Sequence, residues 1–208
     1  MYIHRQRIWP ALGKEAEVRA QLIDWAKQLQ GKGRNVALSQ RLFSSDGPSL
    51  LASTRADDLN ALEKFRHEDA ADADWQARAA KLVALLRLPV DSVVAETLVP
   101  LNGSGPVGVV QIAVGFPGLG KERQVRSITE EFVKSGQAAG VRISLGQRVF
   151  SSTGAVIEVT TVFPDLASLD RSRKERLAVT AEIVKAVHDL SREPIKARLF
   201  EVLVPFPS

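Results

Sequence analysis

Gln40-Arg41-Leu42-Phe43-Ser44-Ser45-Asp46-Gly47 is written a second time, nearly letter for letter, as Gln147-Arg148-Val149-Phe150-Ser151-Ser152-Thr153-Gly154. In both places an apolar stretch runs into a turn pair and out into a second apolar stretch. That pattern reads as a β-hairpin, with Asp46-Gly47 a favoured tight-turn pair. Sliding the sequence on itself by 107 residues extends the match in both directions. Residues 10–62 overlay 117–169 without a gap, with 21 identities in 53 positions. Pro10, Leu12, Gly13, Lys14 and Glu15 recur as Pro117, Leu119, Gly120, Lys121 and Glu122. Near the end the offset becomes 105, and Glu96-Thr97-Leu98-Val99-Pro100 overlays Glu201-Val202-Leu203-Val204-Pro205. A period near 100 residues is a whole-domain repeat, not a solenoid.

Working outward from the hairpins gives the order of elements. Residues 2–9 and 107–116 read as strands, the second with Val110, Ile112, Val114 and Phe116 alternating. A proline turn leads to a helix carrying Val18, Leu22, Trp25 and Leu29 in the first copy, and Val125, Ile128 and Phe132 in the second. Glycines at 31, 33 and 140 stop these helices. After the hairpin, Asp58 and Asp165 stand as N-caps of a further helical segment. Longer helices over 73–87 and 173–191 end before Pro89 and Pro194, and a last strand runs to Pro100 and Pro205. The order β-α-β-β-α-β, twice, with the second helical segment divided, is the split βαβ or ferredoxin-like motif. The expected domains are a repeat over 1–101, a flexible Asn102-Gly103-Ser104-Gly105-Pro106 linker, and a repeat over 107–208. One such unit leaves one sheet face bare, and a second copy can cover it.

With these motifs in place the halves resemble the dimeric α/β-barrel superfamily. The resemblance rests on the strand, the Pro-x-x-Gly-Lys turn into a helix, the hairpin and the closing strand, and it covers the chain twice. In outline it is similar to NIPSNAP-like and antibiotic-biosynthesis-monooxygenase-like families. It implies an α+β fold of tandem ferredoxin-like repeats forming a fused dimeric α/β barrel. It implies activities as different as cofactor-free oxygenation, isomerisation and haem chemistry, so it is informative about fold and weak about function.

Composition narrows the function classes. The chain has 208 residues, 28 basic and 24 acidic, for a net charge of +4, and no cysteine. Without cysteine there is no disulfide framework, thiolate nucleophile or cysteine metal site. The basic residues are dispersed, and the densest run, Arg171, Arg173, Lys174 and Arg176, is interleaved with acids, so no nucleic-acid partner is expected. No apolar run approaches the roughly 18 residues of a membrane span, and the start lacks the apolar core of a signal peptide. The expectation is a cytoplasmic protein with no membrane partner. A homo-oligomer of pseudo-dimers stays open.

Candidate site residues are the polar ones that sit in apolar strands. Arg41 and Arg148, and Glu96 and Glu201, occupy matching places in the two copies. If the more apolar set of each strand faces the helices, both arginines point to the barrel side. The sheet order 4-1-3-2 then sets Arg41 near Glu201 and Arg148 near Glu96. Two readings stay open: a pocket for an anionic or carbonyl ligand gripped by arginine, or a structural seam of ion pairs. The same parity rule turns His4, the counterpart of Gln111, to the barrel side with Gln6, although it also turns Arg5 and Arg7 awkwardly toward the helices. His67 reads as surface. His188 reads as a partly buried structural histidine, with axial haem ligation as its functional alternative. No two histidines have a metal-binding spacing, so neither a metal nor a cofactor is expected. Gly115-Phe116-Pro117-Gly118-Leu119-Gly120-Lys121 imitates a phosphate loop. Glu122 stands where Ser or Thr should follow, and the first copy turns without the glycines at 115 and 118. Ser44-Ser45 and Ser151-Ser152 read as turn formers.

Two functions follow as expectations. One is a protein that binds or transforms a small organic molecule in the barrel interior, cofactor-independent and oxygenase-like. The alternative is a non-catalytic structural or protein-interaction module with a packed core.

Overall fold

The structure is a computed structural model. It describes residues 1–149, 151 and 154–207, with Leu177, Ala178 and Val179 described in backbone only. Phe150, Ser152 and Thr153 of the second hairpin turn lie outside the described residues.

The elements run β1 (Tyr2–Ile8), α1 (Glu15–Gly31), β2 (Asn35–Leu42), β3 (Leu50–Ala56), α2 (Leu59–Ala71), α3 (Ala73–Val83) and β4 (Asp91–Val99). They continue as β5 (Val109–Pro117), α4 (Glu122–Ala138), β6 (Ile143–Val149), β7 (Ile157–Phe163), α5 (Leu166–Asp189) and β8 (Ser191–Val204). Local chemistry explains most boundaries. Asp58 and Asp165 cap α2 and α5, accepting from the N–H groups of Ala61 at 2.8 Å and Ser168 at 2.7 Å. Gly47 turns the first hairpin with φ of +82°, a conformation open to glycine at little cost. The second helical segment is divided only once. Asp72 breaks it into α2 and α3, accepting from the Trp75 N–H at 3.0 Å, whereas α5 runs unbroken for 24 residues. The expected division of the later helix is therefore absent.

By contacts the chain forms two compact units. Unit 1 is Met1–Val94 with Val202–Ser208, and unit 2 is Ala95–Glu201. The linker at 102–106 thus falls inside unit 2.

In unit 1, β3 pairs antiparallel with β1 on one side and β2 on the other. Ile8, Val36, Leu38 and Leu50 pack against Val18, Leu22 and Ala26 of α1, with Val204 from the far end of the chain in the same core. In unit 2, β5 lies between β8 and β7, and β7 between β5 and β6. Its core joins Ile143, Leu145 and Ile157 to Val125 and Val133 of α4, Val187 of α5, and Val99 from β4. Each unit therefore has helices over one sheet face and a helix-free face opposite. Among the described residues no helix is long and apolar enough to cross a membrane.

One glutamine per unit secures the distant strand. The side-chain amide of Gln30 donates to Val36 O at 2.7 Å and Pro205 O at 2.8 Å. That of Gln137 donates to Ile143 O at 2.8 Å and Pro100 O at 2.8 Å. Each amide uses both its hydrogens on main-chain carbonyls, one in a strand and one on the proline just past a strand. Replacing Gln30 or Gln137 by Leu keeps the bulk and removes both bonds. We expect a loss of about 1–3 kcal/mol in each case, read as a lower urea midpoint at unchanged m-value. An unchanged midpoint in both variants would show that the clamp contributes nothing.

Candidate functional site

The pairing registers fix which way each strand residue faces. Ile8 and Leu50 belong to the helix-packed core and are paired, so Gln6 with Ala52 and His4 with Thr54 share that face. His4 and Gln6 therefore face the helix layer, not the helix-free side expected from sequence. The residues turned away from the helices are Arg5, Arg7, Ser39, Arg41, Ser53 and Arg55. Arg5 is buried on this face, and the Arg55 guanidinium stacks 3.7 Å from the Phe206 ring centroid. In unit 2 the same logic places Val110, Ile112 and Val114 away from the helices and Gln111, Ala113 and Gly115 toward them. The expectation inverted the parity because it assumed that only the helix face is buried. Ile112, Val114 and Phe200 are buried on the other face, so alternation of apolar residues does not tell the two faces apart.

The arginines take partners closer than those expected. Arg41 Nη1 is 2.9 Å from Asp46 Oδ2, in the turn of its own hairpin. Arg148 Nε donates to Glu158 Oε1 at 2.6 Å, across the β6–β7 pair, and Glu158 is 2% exposed. Arg148 thus pairs with Glu158, a place where the two copies differ, rather than with Glu96. Glu96 and Glu201 are both exposed. The sequence marks Glu158 as a divergent position, with Leu51 at the matching place in the first copy, but not as the partner of Arg148.

His4 Nε2 is 3.2 Å from Ser92 Oγ, and burial holds its imidazole below the usual value of 6.5. His67 is exposed beside Glu63. His188 is also exposed, 3.9 Å from Asp189, which corrects its reading as partly buried. Among the described residues no cluster of His, Cys, Asp or Glu could hold a metal ion. The phosphate-loop mimic is closed by its own bonds: the N–H of Gly118 goes to Leu190 O at 2.8 Å and that of Lys121 to Gly118 O at 3.0 Å. Those amides are not free to cradle a phosphate.

The feature best suited to a ligand lies in unit 2, between the sheet and helices α4 and α5. It is a cavity of about 510 Å³. Its floor includes Gln111, Ala113 and Gly115 of β5, and its walls include Phe132 of α4 and Ile183 of α5. That volume is of the size that holds small organic ligands. The lining is mainly apolar, with Thr129, Thr161, Ser172 and Thr180 among its polar groups and Arg173 and Arg176 as its charges. The Thr129 hydroxyl already donates to Val125 O in its own helix. Among the described residues of the lining there is no histidine, aspartate or glutamate.

Comparison with solved structures gives whole-chain likenesses. A candidate monooxygenase from Fusobacterium nucleatum superposes with a TM-score of 0.76 at 12% identity, covering 97% of this chain and 92% of that one. A second, from Lactobacillus acidophilus, gives 0.67 at 8% identity, covering 97% and 93%. An anthrone oxidase-like protein gives 0.64 at 12% identity, covering 97% and 91%. The chain has the dimeric α/β-barrel fold. No family model and no curated protein matches it. At these identities the likeness speaks for the dimeric α/β barrel as architecture, and the site has to be argued from its own residues.

The pH response follows from His4. A histidine whose folded value is lowered binds its proton less readily in the native state than in the unfolded chain. Its contribution is present above the unfolded value, near 6.5, and is lost as pH falls toward the lower folded value. His4→Gln installs the residue that the second copy carries at this place. We expect the drop in melting temperature from about pH 7.5 to 5 to be smaller in this variant than in the parent. Parallel pH profiles would exclude His4 as the source.

Proposed function

We propose that the chain is a duplicated ferredoxin-like protein whose second copy binds a small, largely apolar organic molecule in the helix–sheet cavity of unit 2. The observation that carries this reading is a set of matched substitutions between the copies. At an offset of 107, Ile8 corresponds to Gly115, Gln6 to Ala113, Leu22 to Thr129 and Leu29 to Gly136. The later offset of 105 matches Trp75 to Thr180. The helix break at Asp72, absent from α5, is where the two extra residues of the first copy are accommodated. At all five places the first copy has the larger residue, and all five smaller partners line the cavity. In unit 1 the helix layer is filled by Trp25, whose ring stacks on Trp75 with centroids 4.8 Å apart. Trp25 itself corresponds to Phe132 of the cavity wall.

Interiors close to native density wherever side chains allow it. Four of these reductions, at Ile8, Leu22, Leu29 and Trp75, remove bulk that unit 1 holds in its helix layer, against gains at Val159 and Phe163 over Ala52 and Ala56. The names of the structural neighbours, monooxygenase and anthrone oxidase-like, agree with an organic ligand and support an oxygenase-like role. Among the described residues the lining holds no histidine or carboxylate, which favours binding over general acid–base catalysis by cavity residues. The ligand place is thus the helix side of the unit 2 sheet, rather than the helix-free side inferred from sequence. The absence of cysteine agrees with a cytoplasmic setting.

The test refills the cavity with the first copy's own residues. The neutral fluorophore N-phenyl-1-naphthylamine should bind the parent chain with one site per chain. Gly136→Leu combined with Thr180→Trp should weaken that binding about tenfold or more, with native circular dichroism retained. Equal binding by the refilled variant would place the fluorophore elsewhere and remove the basis for this function.

A further inference from the structure

We infer that the molecule held by unit 2 is an amphipathic organic anion, a carboxylate with an apolar body, whose charged end is read by Arg173 and Arg176. This rests on the binding reading above and adds the charge of the ligand to it. Both arginines line the cavity from α5, one turn apart on the same helix face. Among the described residues they are its only formal charges, two positive groups with no negative one.

The pairing of nearby charges sharpens the point. Arg176 Nη2 donates to Ala139 O at 3.2 Å, just past the end of α4, which leaves its other donors for a ligand. Neighbouring acids are engaged elsewhere: Asp170 holds Lys174 at 2.7 Å, and Glu130 holds Lys134 at 2.8 Å. Among the described residues neither Arg173 nor Arg176 forms an ion pair with a carboxylate.

Unit 1 shows the alternative outcome. There Arg34, with its side chain 9% exposed, is matched by Asp69 at 2.7 Å and Glu68 at 2.9 Å, and lies 4.8 Å from the Phe65 ring centroid. At an offset of 107, Arg34 falls on Val141 and Asp69 on Arg176, and both of those residues line the cavity. The first copy closes its helix layer with an internal ion pair. The second has lost the arginine and the Asp69 carboxylate, keeps Glu68 as Glu175, and carries a guanidinium where Asp69 stood. A guanidinium at the edge of an apolar cavity favours a carboxylate partner, which its planar fork can bind through two parallel bonds. The rest of the volume suits the partner's hydrocarbon part.

The experiment displaces bound N-phenyl-1-naphthylamine with three ten-carbon competitors: decanoate, decanol and decylamine. Decanoate should displace it from the parent chain at about tenfold lower concentration than decanol, with decylamine weakest. In Arg173→Gln/Arg176→Gln the advantage of decanoate over decanol should vanish while decanol competes as before. Unchanged competition by decanol also shows that the variant is folded. Equal displacement by decanoate and decanol in the parent would overturn the anion assignment and leave the cavity reading standing. A decanoate advantage that survives the double substitution would overturn the role of these two arginines. Fluorophore binding that the refilled variant does not weaken would instead count against the cavity itself.

Discussion

The carboxamides of Gln30 and Gln137 impose the constraint on which both units rest. A helix-covered sheet ends in strands whose outer carbonyls need donors, and each glutamine supplies two from the C-terminal turns of α1 or α4. In unit 1 the bond to Pro205 spans 175 residues of sequence. The core of that unit is therefore incomplete until the last residues of the chain have arrived, with Leu203 and Val204 packed in it. In unit 2 the equivalent bond to Pro100 is joined by a second: Asn102 accepts from the Ile143 N–H at 3.0 Å. The part of the chain that reads as a flexible linker is held at that point by its first asparagine. Arg142 holds its other end, donating to Gly105 O at 3.2 Å and Pro106 O at 3.0 Å.

Once the frame is fixed in this way, the space between sheet and helices is set by side-chain volume. The same backbone plan is filled in unit 1 by Ile8, Leu22, Trp25, Leu29 and Trp75. In unit 2 it is left open over Gly115, Thr129, Gly136 and Thr180. Gly136 illustrates the trade. A glycine inside a helix is destabilising by roughly 0.5–1 kcal/mol relative to alanine. A Cβ built there would approach the Ile143 Cγ2 at 3.4 Å, which the neighbour can absorb with a small shift. Steric need alone does not demand glycine at this position, whereas an open cavity wall does. A hollow core forfeits dispersion contacts and apolar burial, so it is retained where something else occupies it.

Much of this is legible in the sequence. The caps at Asp58 and Asp165 and the hairpin turn at Gly47 followed from local chemistry, because caps and turns depend on a few adjacent residues. The direction of β1 and β5 did not. Alternation reports burial against exposure, and in β5 both faces carry buried residues, so Val110, Ile112 and Val114 could be assigned to either side. The awkward orientation of Arg5 and Arg7 was the available clue that His4 and Gln6 belonged with the helices. The expected salt links failed for a related reason. Glu96 and Glu201 were chosen for recurrence in both copies, yet recurrence marks what the fold shares. Arg148 instead found Glu158, a residue that differs between the copies, 2.6 Å away on the neighbouring strand.

That contrast carries the functional argument. Positions kept in both copies, such as Gln30 with Gln137, Gly13 with Gly120 and Pro10 with Pro117, have structural duties in both units and cannot say which copy binds anything. Information about a ligand lies in the positions that diverge in a correlated way. Loss of one large side chain from a core leaves a defect that neighbours partly refill. Loss of four around one volume, together with replacement of Asp69 by Arg176 at its edge, changes both the size and the charge of the same space. The two changes bear on different properties of a ligand, one on how much apolar surface it buries and the other on the sign of its charge. Neither is explained by the needs of a ferredoxin-like core, since unit 1 meets those needs with the larger residues and the internal ion pair.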